Sequence, residues 1–111
     1  MEAETPQEKR AWPRKPMHGQ GEVSATFSGG KSPVDMLDIS AGGISFLSLS
    51  PCAKDSMWLV RFELGERTVR GVVCIAYCAK HSLTDAYRIG AAFRNLEKQY
   101  EDAINRYLKE T

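Results

Sequence analysis

The chain has 111 residues, and its 15 Lys and Arg against 14 Asp and Glu leave a net charge of +1. That length holds one ordinary domain, which buries roughly two-thirds of its unfolded surface and needs no staples. A composition 42% hydrophobic and 26% charged excludes the disordered class, and near-neutrality argues against a general nucleic-acid coat, which rests on a basic excess.

Residues 1–17 carry Pro6, Pro13 and Pro16 among charges, with Trp12 and Met17 as large apolar side chains. Proline disfavours helix in the residue before it, so Trp12 and Lys15 are biased to extended backbone. The expectation is a flexible N-terminal arm over 1–17 and one folded body over 18–111. The arm is polar and has no hydrophobic stretch of a secretory signal. No apolar run in the chain approaches the roughly 20 residues of a membrane-spanning helix. Three cysteines, an odd number without an export signal, are expected as reduced thiols. A cytoplasmic protein without membrane insertion is the expectation.

From Gly21 the pattern changes to short runs of period two. Residues 22–27 form a first predicted strand, ended by Ser28, Gly29 and Gly30. Residues 34–39 and 44–49 form two more, joined across Ser40, Ala41, Gly42 and Gly43. In 56–64 the side chains of Trp58, Val60, Phe62 and Leu64 fall on one face, and Gly65-Glu66 then turns the chain. Residues 67–79 make a long strand with Val69, Val73, Ile75 and Tyr77 on a common side. Residues 86–93 group Tyr87, Ile89, Ala91 and Phe93. Six short strands punctuated by glycine turns predict an antiparallel barrel or sandwich.

The period then switches to that of a helix. Tyr100, Ala103, Ile104, Tyr107 and Leu108 recur at i, i+3, i+4, i+7 and i+8, which predicts a helix over about 95–110. Asn95 is its expected N-cap, and Asp102 and Arg106 form an i, i+4 pair on the exposed side. The apolar stripe is expected to pack on one end or edge of the strand body.

Two clusters resemble sites and fail on geometry. Cys74, Cys78 and His81 suggest metal ligation, but four strand residues separate the two cysteines by about 13 Å, whereas zinc holds its sulfurs at about 2.3 Å. Structural cysteines and no metal are expected. Gly29-Gly30-Lys31-Ser32 resembles the end of a phosphate loop. That loop needs an earlier glycine where Ala25 stands and a helix at the lysine, but Pro33 and a β-type run follow. A hairpin turn is the expectation.

Two further segments carry binding chemistry. Arg10 and Arg14 lie four residues apart in a proline-stiffened stretch, with Lys9 beside the first. Guanidinium forks pair with phosphate and with the O6 and N7 acceptors of guanine. Downstream stands Asp38-Ile39-Ser40-Ala41-Gly42-Gly43. If strand geometry persists through Ser40, Asp38 and Ser40 project to one face, followed by glycines that let a ligand approach bare backbone N–H groups. A carboxylate only accepts hydrogen bonds, which suits the N–H donors of guanine. A solvated tail and a hairpin turn built on Asp38 and Ser40 are the bland alternatives.

In this order, RAWPR at 10–14 and DISAGG at 38–43 resemble the PilZ domain family, whose signature is R-x-x-x-R followed by D/N-x-S-x-x-G. The resemblance extends over roughly residues 8–108. It implies a six-stranded antiparallel β-barrel with a C-terminal α-helix that binds the bacterial second messenger cyclic di-GMP. It further implies that Arg10 and Arg14 hold a guanine edge and the phosphates, that Asp38, Ser40, Gly42 and Gly43 receive another guanine face, and that Lys9 supplies an additional basic group. One ligand and a stacked pair of ligands are both compatible with Lys9. Tyr77 matches a strand position where some members stack an aromatic ring on a base, and it equally fits the core. No nucleophile–base pair is legible, so a receptor without a cofactor is expected rather than an enzyme. Its signal would pass to a separate, unidentified effector protein. The rival readings are a PilZ-like interaction module without ligand and a barrel binding single-stranded nucleic acid through Trp12, Tyr77 and basic residues.

Overall fold

The computed structural model describes residues 14–25 and 30–110; Lys9, Arg10 and Trp12 lie outside that range. Among the described residues seven strands precede one helix: β1 Lys15–Pro16, β2 Gln20–Ala25, β3 Lys31–Ile39, β4 Gly43–Ser48, β5 Met57–Leu64, β6 Arg67–Lys80 and β7 Tyr87–Arg94, then α1 Lys98–Lys109. Every pairing is antiparallel. The order β3-β2-β5-β6-β7-β4 returns to β3 through a β3–β4 pairing, which closes a six-stranded barrel. Closure gives each of the six barrel strands a neighbour on either side, which leaves little open sheet edge to template aggregation.

The two-residue β1 is the added element. It lies beside the C-terminal end of β3, with Lys15 opposite Ile39 and Pro16 opposite Asp38. Strand β2 follows along the same side of β3, with Gln20 opposite Asp35. Across the gap between them the ladder continues, as Met17 N–H donates to Leu37 O at 3.0 Å and Met36 N–H to Gly19 O at 2.9 Å. The Met17 side chain is buried in the core. Residues 15–17 therefore ride on the barrel, although their sequence reads as part of the arm.

Period-two burial is clear in β5, where Val60, Phe62 and Leu64 are buried and the residues between them are exposed. Phe46, Phe62, Ile39, Ile44, Ile75, Ile89, Val69 and Val73 fill the interior, with Trp58, Tyr87 and Phe93 packed partly against it. Burial of each such side chain contributes about 1.5–3 kcal/mol. Lys31 and Ser32 open β3 rather than a helix, and β2 pairs back on β3; Gly29 of the glycine–lysine segment lies outside the described residues.

The long strand β6 departs from the expected alternation. Its register with β7 shifts between Ile75 and Tyr77: Ile75 faces Ala91, whereas Tyr77 faces Gly90. This bulge at Ala76 turns Tyr77 away from the side shared by Val69, Val73 and Ile75, correcting the common face read from the sequence. It also separates the cysteines. Cys78 packs on the core, and Cys74, between the inward Val73 and Ile75, points outward. No group of three metal-ligating side chains forms among the described residues. Cys52 is buried, and that burial, with Cys78 nearby, pushes its thiol up to about 11.

Helix α1 presents the expected stripe, with Ile104 buried and Tyr100, Tyr107 and Leu108 packed against the core. Its start differs from the expectation. Glu97 is the N-cap, while Asn95 adopts a left-handed φ of 53° and steers the chain so that Leu96 reaches the core. Asp102 pairs with Lys98 at 3.3 Å instead of with Arg106. At the other end Lys15 Nζ donates to Tyr107 O at 2.8 Å and to Glu110 O at 2.7 Å, and lies 4.1 Å from the Tyr107 ring centroid. Tyr107 Oη donates in return to Pro16 O at 3.1 Å. A cation on the last carbonyls offsets the negative end of the helix dipole. No helix among the described residues is long and apolar enough to cross a membrane.

Candidate ligand-binding site

Strand register assembles the site on the outer wall of the barrel. Asp38 on β3 faces Ser45 on β4, Ser45 faces Gly90 on β7, and Gly90 faces Tyr77 on β6. One transverse row thus runs carboxylate, hydroxyl, bare glycine, aromatic ring. Gly90 lies between the buried Ile89 and Ala91, so its missing side chain would point outward. A Cβ there would collide with the Tyr77 ring. The ring therefore lies flat against the strand over Gly90, which its own glycine makes possible. Ser45 in the same row is fully buried, and its hydroxyl has no hydrogen-bond partner among the described residues.

The β3–β4 turn forms one rim. Ser40 Oγ accepts from the N–H groups of Gly42 and Gly43, each at 3.2 Å, and Ser40 N–H donates to Gly43 O at 2.9 Å. The serine side chain closes the turn, and the two glycine N–H groups are engaged rather than bare as expected. Asp38 takes no part in the turn. Gly43 has its own requirement: a Cβ would run into the Ala91 carbonyl oxygen and lie 3.2 Å from Ala92 Cα. Its glycine lets β4 and β7 approach closely beside the turn.

Charge converges on Asp38. Arg14 Nη1 donates to Asp38 Oδ1 at 2.7 Å, and Arg88 Nη2 lies 3.6 Å from Asp38 Oδ2. The carboxylate is 18% exposed, against 41% and 49% for the two arginine side chains. Both guanidiniums therefore keep open faces while the acid between them is largely covered. The trio carries one net positive charge. Being partly exposed, the Arg14–Asp38 pair is worth at most about 1 kcal/mol to folding.

Arg14, Ser40, Gly42, Gly43, Tyr77 and Gly90 line one shallow recess of about 210 Å³. Pockets for drug-sized ligands span about 300–1,000 Å³, so this recess accommodates part of a dinucleotide-sized molecule. Of the residues singled out from the sequence, Arg14, Ser40, Gly42, Gly43 and Tyr77 line this recess, Asp38 stands beside it through its contact with Arg14, and Lys9 and Arg10 fall outside the described residues. Sequence reasoning missed Ser45, Arg88 and Gly90. The inward set Tyr87, Ile89, Ala91 and Phe93 already implied that Arg88 and Gly90 face outward; their place beside Asp38 depends on strand order. A larger recess of about 580 Å³ lies elsewhere, by Glu22, Arg61, Arg70 and Tyr100. It shares no residue with the motifs, and Arg61 is already paired with Glu22 and Glu63 at 3.9 and 3.6 Å.

The family model of the PilZ domain matches residues 8–110. The solved structures that share the fold include the following three. The inhibitor of motility MotI/DgrA of Bacillus subtilis has a TM-score of 0.74 at 14% identity, covering 86% of this chain and 47% of that one. The K. pneumonia MrkH–c-di-GMP complex has a TM-score of 0.73 at 18% identity, over 87% and 49% of the two chains. The PilZ domain of Escherichia coli YcgR with c-di-GMP gives 0.69 at 11% identity, over 88% and 87%. The chain thus spans about half the length of the first two. No curated protein matches it.

Proposed function

Because the chain belongs to the PilZ domain family, we propose that it is a bacterial cyclic di-GMP receptor that relays the second messenger to a partner protein. The observation that carries this reading is the contact between its two motifs. Arg14 and Asp38 are 24 residues apart in sequence, and their side chains meet at 2.7 Å. Two of the solved structures that share the fold are described as complexes with c-di-GMP, which supports the same ligand here.

The chemistry fits such a ligand. Cyclic di-GMP carries two phosphate charges and two guanines, each with an acceptor edge at O6 and N7 and donors that include N2. In this proposal Asp38 accepts from the donor edge of one guanine. Arg14 then turns its fork to a phosphate or to the O6 and N7 edge. Arg10 and Lys9 supply further cationic contacts from the arm. Tyr77 stacks on a base, a contact worth about 1–3 kcal/mol. Ser40 keeps the turn shaped so that the Gly42–Gly43 backbone borders the base. No residue is asked to turn over substrate, so the proposed role is a receptor rather than an enzyme.

Relay to a partner has a physical route. Arg14 pairs with Asp38, and the next residue, Lys15, holds the carbonyls at the end of α1. A ligand that draws Arg14 off Asp38 therefore acts on a backbone segment tied to the helix end. The arm and that end would together present the altered surface.

Isothermal titration calorimetry tests the proposal, with cyclic di-GMP as ligand and GTP and linear pGpG as controls. Saturable heat with cyclic di-GMP alone at tens of micromolar protein is the expected result. A flat trace would instead support an interaction module without ligand. Equal binding of linear RNA, falling steeply with salt, would support the single-stranded nucleic-acid reading.

A further inference from the structure

We infer that Arg88 is a further ligand-binding residue of this site, supplying a second guanidinium to the anionic dinucleotide; this rests on the receptor reading above. Strand β7 holds Arg88 in the middle of the sheet, opposite Leu47 of β4 on one side and Ala79 of β6 on the other. Its backbone is therefore set by two ladders. Arg14, by contrast, sits just outside the two-residue β1. Arg88 and Gly90 are two apart on one strand and share its outer face, which puts the guanidinium beside the Ser45–Gly90–Tyr77 row.

The geometry at Asp38 fixes the role. Each carboxylate oxygen has one guanidinium neighbour, Arg14 at Oδ1 and Arg88 at Oδ2. At 3.6 Å and 49% side-chain exposure, the Arg88 contact is a loose ion pair with unspent donors. A guanidinium carries five N–H groups in a rigid fork, and Asp38 does not occupy them all. When guanine donors occupy the Asp38 oxygens, the two forks are left flanking that base. The two guanidiniums then match the two phosphate charges of the ligand, with Arg88 the one carried by the barrel wall. Because β7 holds the Arg88 backbone before the ligand arrives, only side-chain freedom is lost in using it.

The test compares the unaltered chain with Arg88→Ala and Arg88→Lys by calorimetry against cyclic di-GMP at several salt concentrations. Arg88→Ala should weaken binding at least about tenfold, the loss of one charge-assisted hydrogen bond. It should also flatten the dependence of affinity on salt. Arg88→Lys, which keeps the charge and loses the fork, should restore the salt dependence and only part of the affinity. If Arg88 merely propped Asp38, its removal would leave the salt dependence unchanged, and that result overturns the inference. Binding by Arg88→Ala within about twofold of the parent, or tighter than the parent, also overturns it. Absence of binding by the unaltered chain overturns the receptor reading itself, and is read before either variant.

Discussion

Replacing Arg14 with alanine is expected to weaken cyclic di-GMP binding by about 10- to 150-fold while costing less than about 1 kcal/mol of stability. The first figure follows from one charge-assisted hydrogen bond, about 1.5–3 kcal/mol, at tenfold per 1.4 kcal/mol. The second follows from the exposure of the pair: Arg14 meets Asp38 at the barrel surface with 41% of its side chain accessible, where such pairs contribute little. Binding and folding thus separate at this residue. Calorimetry and thermal unfolding of the same preparation measure both. An Arg14→Ala protein that binds like its parent, or that loses stability in step with affinity, would contradict the role assigned to it.

Gly43 and Gly90 are expected to fail in opposite ways when given a methyl group. In Gly43→Ala every near neighbour of the new Cβ is backbone, namely the Ala91 carbonyl and Ala92 Cα. Side-chain rotation cannot relieve that crowding, so β4 must part from β7. A loss of about 3 kcal/mol or more is expected, with binding lost as the turn shifts. In Gly90→Ala the three atoms nearest the new Cβ all belong to the Tyr77 ring, which must turn about its side-chain bonds to make room. Stability should then change by less than about 1 kcal/mol, since alanine also recovers some of the backbone entropy glycine loses on folding. Affinity should nevertheless fall about 5- to 150-fold, the worth of a displaced stacking contact. Denaturant midpoints and calorimetry on the two variants decide. Unaltered binding in Gly90→Ala would remove Tyr77 from the site.

Much of this was legible because the barrel obeys simple periodicities. Trp58, Val60, Phe62 and Leu64 alternate in the chain as they do in the wall, and the Tyr100–Leu108 stripe reads directly as a helix face. What escaped the pattern has specific causes. A bulge is one extra residue in one strand, and no local signal at Ala76 separates it from regular alternation; only pairing with Gly90 turns Tyr77 outward. Strand β1 was hidden because two residues, Lys15 and Pro16, are too few to show an apolar alternation, and their place depends on β3 extending beyond β2. The helix start moved from Asn95 to Glu97 because the left-handed backbone at Asn95 delivers Leu96 to the core. The site motifs were readable as residue types at fixed spacing. Arg88 was not, because its meeting with Asp38 depends on β4 lying between β3 and β7. Ser40 carried a double meaning in sequence, and its hydroxyl is committed to the turn.

The central claim is that the Arg14 guanidinium and the Asp38 carboxylate act on one and the same bound molecule. A crystal structure of the chain with cyclic di-GMP tests it most directly. In that complex a guanine should donate to Asp38 over the Ser45–Gly90 strand row, with Arg14 turned from Asp38 onto a phosphate or the O6 and N7 edge. A complex in which Arg14 and Asp38 stay paired at about their present separation, with the ligand bound elsewhere on the barrel, would contradict it.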